Sequence, residues 1–134
     1  MSLIKLLDLN SIRDERGQLT ALEGAKDIPF GIKRVYYLTG MQESTPRGFH
    51  AHRQLEQLAV CLAGRCRVLL DDGRSREDVW LDSPSKGLCI GKMIWHEMHD
   101  FSADCVFLVL ASDWYDKADY IRDYAVFLEH VRDV

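Results

Sequence analysis

Two histidines separated by a single residue, His50 and His52, are the part of this sequence best suited to chemistry. On an extended strand successive side chains alternate faces, so both imidazoles point one way and Ala51 points the other. Two imidazoles then share one cavity, where they could exchange protons near neutral pH or ligate a metal. Glu56 follows four positions after His52, and a further histidine, His96, comes later in Gly91-Lys92-Met93-Ile94-Trp95-His96-Glu97. His99 lies three residues beyond His96, on the opposite face of a strand, and reads as non-catalytic. His130, near the end, reads as a surface residue.

The elements that position these groups are mostly strands. Short apolar or alternating runs at 19–22, 32–38, 57–62, 66–70, 79–81 and 106–111 are separated by turn signals at the spacing of an all-β sandwich or barrel. Asp71-Asp72-Gly73-Arg74 reads as the turn of a hairpin between 67–70 and 77–80. Asp113-Trp114-Tyr115-Asp116 reads as the turn leaving the last strand. From Asp119 onward the period changes: Tyr120, Tyr124, Phe127, Leu128 and Val131 recur at three- and four-residue steps, predicting one C-terminal amphipathic helix packed on the barrel. No repeat or linker interrupts the pattern, so residues 1–134 are expected to form a single domain.

Composition narrows the partners. A formal net charge of -4 gives no basic surface for nucleic acid or anionic membrane, so any anion must be gripped by particular residues. No stretch approaches the ~20 apolar residues of a membrane span and no leader precedes the first strand, which predicts a cytoplasmic protein. Cys61, Cys66, Cys89 and Cys105 form no C-x-x-C pair and sit in or beside apolar segments, so buried reduced thiols are expected.

The pattern H-x-H-x-x-x-E with a later histidine resembles the two motifs of the cupin superfamily. In metal-binding cupins such a set would make His50, His52, Glu56 and His96 ligands of a divalent transition ion. Here Lys92-Met93-Ile94-Trp95 replaces the usual proline-containing turn before the second-motif histidine. Further words sharpen the likeness: Asp14-Glu15-Arg16-Gly17, Lys33-Arg34-Val35-Tyr36-Tyr37, Pro46-Arg47-Gly48-Phe49-His50-Ala51-His52, Trp95-His96-Glu97-Met98 and Ala118-Asp119-Tyr120-Ile121-Arg122. Together they resemble the sugar 3,4-ketoisomerases that act on dTDP-4-keto-6-deoxyglucose, over nearly the whole chain.

That resemblance implies a cupin (double-stranded β-helix, or jelly-roll) barrel that is homodimeric with strand exchange, uses no metal or other cofactor, and takes a nucleotide-sugar substrate. A metal-dependent cupin enzyme and a non-catalytic sugar-binding cupin are the competing readings. In the leading one, a base removes the C3 hydrogen beside the ketone, an enediolate forms, and reprotonation at C4 leaves the ketone at C3. His50 is the expected base and His52 the group that holds or protonates the oxygen. Tyr37 could share that role, although the sequence leaves open whether Tyr36 or Tyr37 points inward. Glu56 is expected to serve the barrel structurally. Arg34 and Arg47 are expected to grip the diphosphate through their planar forks. By resemblance Arg16 and His96 mark the subclass that makes the 3-keto-6-deoxygalactose product, feeding deoxyaminosugar biosynthesis for a surface polysaccharide.

Overall fold

A computed structural model describes residues 2–132. Its elements are β1 (Leu6–Asp8), β2 (Asn10–Asp14), β3 (Gly17–Ala21), β4 (Arg34–Leu38), β5 (Arg47–His52), β6 (Gln57–Ala63), β7 (Cys66–Asp71), β8 (Arg76–Leu81), β9 (Lys86–Ile90), β10 (Trp95–His99), β11 (Val106–Ala111), β12 (Tyr120–Ile121) and α1 (Tyr124–Arg132). The strands form two antiparallel five-stranded sheets, ordered β1-β9-β6-β11-β4 and β12-β5-β10-β7-β8, with β2 and β3 as a separate hairpin. This is the all-β two-sheet barrel expected from the spacing of the runs, in the jelly-roll form that the resemblance implies.

Alternation explains how the sheets close on each other. Along β7 the inward positions Cys66, Val68 and Leu70 are fully buried, and along β11 Phe107 and Val109 meet them. Phe101 and Phe107 are enclosed in this core, each worth about 1.5–3 kcal/mol of apolar burial. The hairpin read at Asp71-Asp72-Gly73-Arg74 joins β7 and β8 in register from Cys66↔Leu81 to Asp71↔Arg76.

The end of the chain departs from expectation. The helix starts at Tyr124, and residues 117–121 form a 3₁₀ turn followed by β12, which pairs with β5 through Tyr120↔His52 and Ile121↔Ala51. Tyr120, four residues before Tyr124, fits the helical step but lies in β12 against His50 and His52, whereas Tyr124, Phe127, Leu128 and Val131 pack with Ala51, Trp95 and Ile121. Asp123 starts the helix by accepting a bond from the Val126 amide. Tyr124 then donates to the buried carboxylate of Asp71 at 2.7 Å, which ties the helix to the β7–β8 hairpin. No described helix is long and apolar enough to cross a membrane.

Candidate active site

The site begins with an irregularity in β5. Gly48 has φ +95°, and a Cβ there would lie 2.9 Å from the His96 carbonyl oxygen, so only glycine allows β5 and β10 to approach so closely. Phe49 also adopts positive φ, and the β5–β10 register slips between His96 and Glu97. After this bulge the strand resumes with His50 opposite His96, and His50 and His52 on the inner face.

Three imidazoles therefore converge. Ring centroids are 4.5 Å apart for His50 and His96, 5.0 Å for His50 and His52, and 6.0 Å for His52 and His96. Tyr120, brought in by β12, stands 4.9 Å from His50 and 4.3 Å from His52. Two of the imidazoles are held by a backbone carbonyl two residues before them. His50 Nδ1 lies 3.1 Å from the Gly48 carbonyl and His96 Nδ1 lies 3.2 Å from the Ile94 carbonyl. A carbonyl only accepts, so both Nδ1 atoms donate and both Nε2 atoms keep free lone pairs. His52 is buried with neither ring nitrogen in a hydrogen bond, although Asp119 Oδ2 stands 3.2 Å from its Nδ1.

Burial sets the protonation of the cluster. It lowers the His50 pKa, opposed by the bond to Gly48 and reinforced by the charge of Arg122. His52 is pushed down to about 4 by burial and by His50, with Asp119 pulling upward and Arg34 downward. His96 falls to about 3 through burial and its two histidine neighbours. All three are thus neutral at pH 7, the state a proton acceptor requires.

The expected residues separate into those the structure gathers and those it does not. His50, His52 and His96 form the cluster, and Arg34 joins it: its buried Nε has no hydrogen-bond partner, and its guanidinium lies over the rings of Tyr36 and Tyr115. Of the two tyrosines, Tyr37 is corrected. It is 66% exposed on the outer face of β4, whereas Tyr36 points inward and its hydroxyl accepts a 2.7 Å bond from buried Gln57. Burial pushes the Tyr36 phenol up to about 12. Glu56 also stands apart: it lines a cavity of about 720 Å³ with Lys5, Cys89 and Lys92, so the four-ligand metal set is broken. His50, His52 and His96 alone keep donor atoms within 4.8 Å of one another, a three-nitrogen set able to hold a transition ion. Arg47 opens β5 and lines a separate depression with Gly40, Gln42 and Thr45. Arg16 sits at the tip of the β2–β3 hairpin, 85% exposed and paired with Asp14. His99 pairs with Glu97 on the other face of β10, and His130 bonds to Arg53, both outside the cluster.

Sequence reading missed Asp119, Tyr120, Arg122 and Gln57 as site residues. The first three stand in one of the words that carried the family resemblance, and an acid, a phenol and a cation so close together were the available signal.

A two-sheet β-barrel with proton-carrying side chains gathered on one inner wall is the architecture of a cupin-type isomerase. The family model FdtA (WxcM-like, C-terminal) matches residues 2–132, and the chain belongs to this family of sugar 3,4-ketoisomerases. It is 55% identical over 127 residues, 95% of this chain and 91% of the relative, to a TDP-4-oxo-6-deoxy-alpha-D-glucose-3,4-oxoisomerase of Aneurinibacillus thermoaerophilus. A mutant of the 3,4-ketoisomerase QdtA from Thermoanaerobacterium thermosaccharolyticum, solved with TDP-4-keto-6-deoxyglucose, superposes with a TM-score of 0.96 at 41% identity, covering 99% of this chain and 96% of that one. The TDP-quinovose 3,4-ketoisomerase WlaRB of Campylobacter jejuni gives 0.91 at 49% identity, covering 96% and 99%.

Proposed function

We propose that this isomerase converts dTDP-4-keto-6-deoxyglucose to dTDP-3-keto-6-deoxygalactose, with His50 as the base. The observation that carries the reading is the neutral cluster of His50, His52 and His96 beside Tyr120. His50 Nε2 takes the C3 hydrogen as a proton, and the C3–C4 enediolate takes up the charge. His52 and Tyr120 stabilise the oxygens and pass a proton from O3 to O4, while a proton returns to C4. One hydrogen has then moved from C3 to C4, and the ketone from C4 to C3. Arg34 and Arg47 supply the planar donors suited to the diphosphate.

Where these groups sit supports the galacto configuration of the product. β5, β10 and β12 all belong to one sheet, so His50, His52, His96 and Tyr120 reach the sugar from one wall. In the gluco-configured substrate the C3 hydrogen leaves from one ring face, and return to C4 from that face places the C4 hydroxyl axial, as in galactose. Arg16 and His96 support the same subclass by resemblance. The quinovose named for the Campylobacter relative is gluco-configured, so overall identity does not assign C4. Proton NMR of the product formed in deuterium oxide tests the proposal: at C4 either the hydrogen carried over from C3 or deuterium exchanged onto the base, with an axial C4 hydroxyl, is expected, and an equatorial hydroxyl overturns the single-wall argument. No turnover leaves a sugar-binding cupin. Activity that is lost on chelation and restored by a divalent ion assigns the three-histidine set to a metal.

The β2–β3 hairpin supports a homodimer. It forms its own sheet, and Ile12 and Leu19 are 67% and 63% exposed on it. Exchange of this arm would cover those side chains on a second copy and carry Arg16 toward the partner. The four free thiols suit a reducing compartment such as the cytoplasm.

A further inference from the structure

Away from the histidines, three thiols meet in the core. Cys61 near the end of β6, Cys66 at the start of β7 and Cys105 just before β11 are buried, and their sulfurs all lie within 4.8 Å of one another. Cys61 Sγ is 3.6 Å from Cys105 Sγ. Two interlocked turns hold them. The Arg65 amide donates to Ser102 Oγ at 2.8 Å and the Ser102 amide to the Arg65 carbonyl at 2.9 Å. Gly64 packs so closely on the second turn that a Cβ would lie 2.9 Å from Cys105 Cα. Beside the buried sulfurs, Gly64 is half-buried and Ala103 and Asp104 are exposed.

We propose that Cys61, Cys66 and Cys105 form a capture site for one trivalent arsenic centre, taken up from arsenous acid as a neutral tris-thiolate. Three sulfurs on one centre with bonds of about 2.3 Å sit roughly 3.5–4 Å apart; Cys61 and Cys105 already stand 3.6 Å apart, and the Cys66 sulfur lies within 4.8 Å of both. Charge chooses the ligand. Three thiolates around a divalent zinc or cadmium ion leave one net negative charge in an apolar core that also contains Phe101 and Phe107, with the Asp104 carboxylate nearby to oppose it. Arsenous acid avoids that penalty: As(OH)₃ and three thiols give As(SR)₃ and three waters. Three As–O and three S–H bonds break, three As–S and three water O–H bonds form, and no electrons are transferred. Cys89 belongs to the separate 720 Å³ cavity and takes no part.

The test uses the reduced full chain incubated with sodium arsenite and freed of excess reagent. Native mass spectrometry is expected to show one arsenic less three hydrogens per chain, and X-ray absorption three sulfurs and no oxygen around it. Cys89→Ser should bind as the parent does, whereas Cys66→Ala, with its fold checked by circular dichroism, should bind about 10²-fold more weakly for loss of one chelating arm. No adduct, oxygen bound to the arsenic, dependence on Cys89, or tighter retention of zinc than of arsenite at equal concentration overturns the assignment. The absorption result on the parent protein stands even if the alanine variant does not fold.

Discussion

His52 Nδ1 faces Asp119 Oδ2 at 3.2 Å across the seam between β5 and the 3₁₀ turn before β12. The carboxylate is itself fixed, because Oδ1 accepts from the Gln54 amide and Oδ2 from the Leu55 amide. It biases His52 toward carrying its proton on Nδ1 and raises the imidazole's pKa against burial. Asp119→Asn keeps an acceptor for the loop but removes the charge. The expected result is a fall in kcat of about 10–100-fold, smaller than the roughly 10²–10⁴-fold of a full general acid or base because Asp119 acts through His52. KM should change little. An unchanged kcat would show that Asp119 serves only the loop.

His50 carries the C–H chemistry in the proposed mechanism. His50→Asn should reduce turnover by about 10²–10⁴-fold while the nucleotide-sugar still binds. Calorimetry on the variant with the TDP-sugar, beside a turnover assay, checks both halves. Near-normal turnover transfers the role to His52.

The pH profile follows from the direction of the His50 shift. Its pKa is held below the ordinary value of about 6.5, so the acidic limb of kcat/KM should be centred below pH 6.5. An acidic limb centred above 6.5 contradicts a buried neutral base.

Stability should follow the other two histidines. Their folded pKa values, about 4 for His52 and about 3 for His96, lie below the unfolded value of about 6.5. Between these values the unfolded chain binds more protons, so the stability is fully present above about pH 6.5 and is lost as pH falls toward 4 and 3. Thermal unfolding should show Tm falling from pH 6.5 to 5, a range above most carboxylate titration, and His96→Gln should flatten the slope. A flat parent curve would contradict the burial argument.

The two tyrosines of β4 should separate cleanly. Tyr36→Phe leaves the buried Gln57 amide without its partner, at a cost of about 1–3 kcal/mol in denaturant unfolding. Tyr37→Phe should alter neither stability nor turnover in a single chain's site. Loss of activity in Tyr37→Phe with Tyr36→Phe unaffected would reverse the assignment.

Much of this site was legible because a strand's period is simple. His50 and His52 had to share a face, and the apolar runs that became β6, β7 and β11 marked both sheets. The choice between Tyr36 and Tyr37 was not legible, since alternation says that the two differ without saying which faces the core. Asp119 and Tyr120 were hidden for another reason: Tyr120 falls four residues before Tyr124, so a two-residue strand continues the three-and-four pattern of the helix that follows it. Glu56 was placed by motif spacing, whereas the turn after β5 directs it to another cavity.

The pairing of β12 with β5 also bears on synthesis at the ribosome. The barrel strands through β11 end at Ala111, whereas Asp119 and Tyr120, which stand against His52, come later in the chain, just before α1 packs on Trp95 and Asp71. A nascent barrel therefore carries its three histidines with one wall of their chamber missing. The residues that close the chamber are thus the last of its lining to be synthesised, after all three histidines.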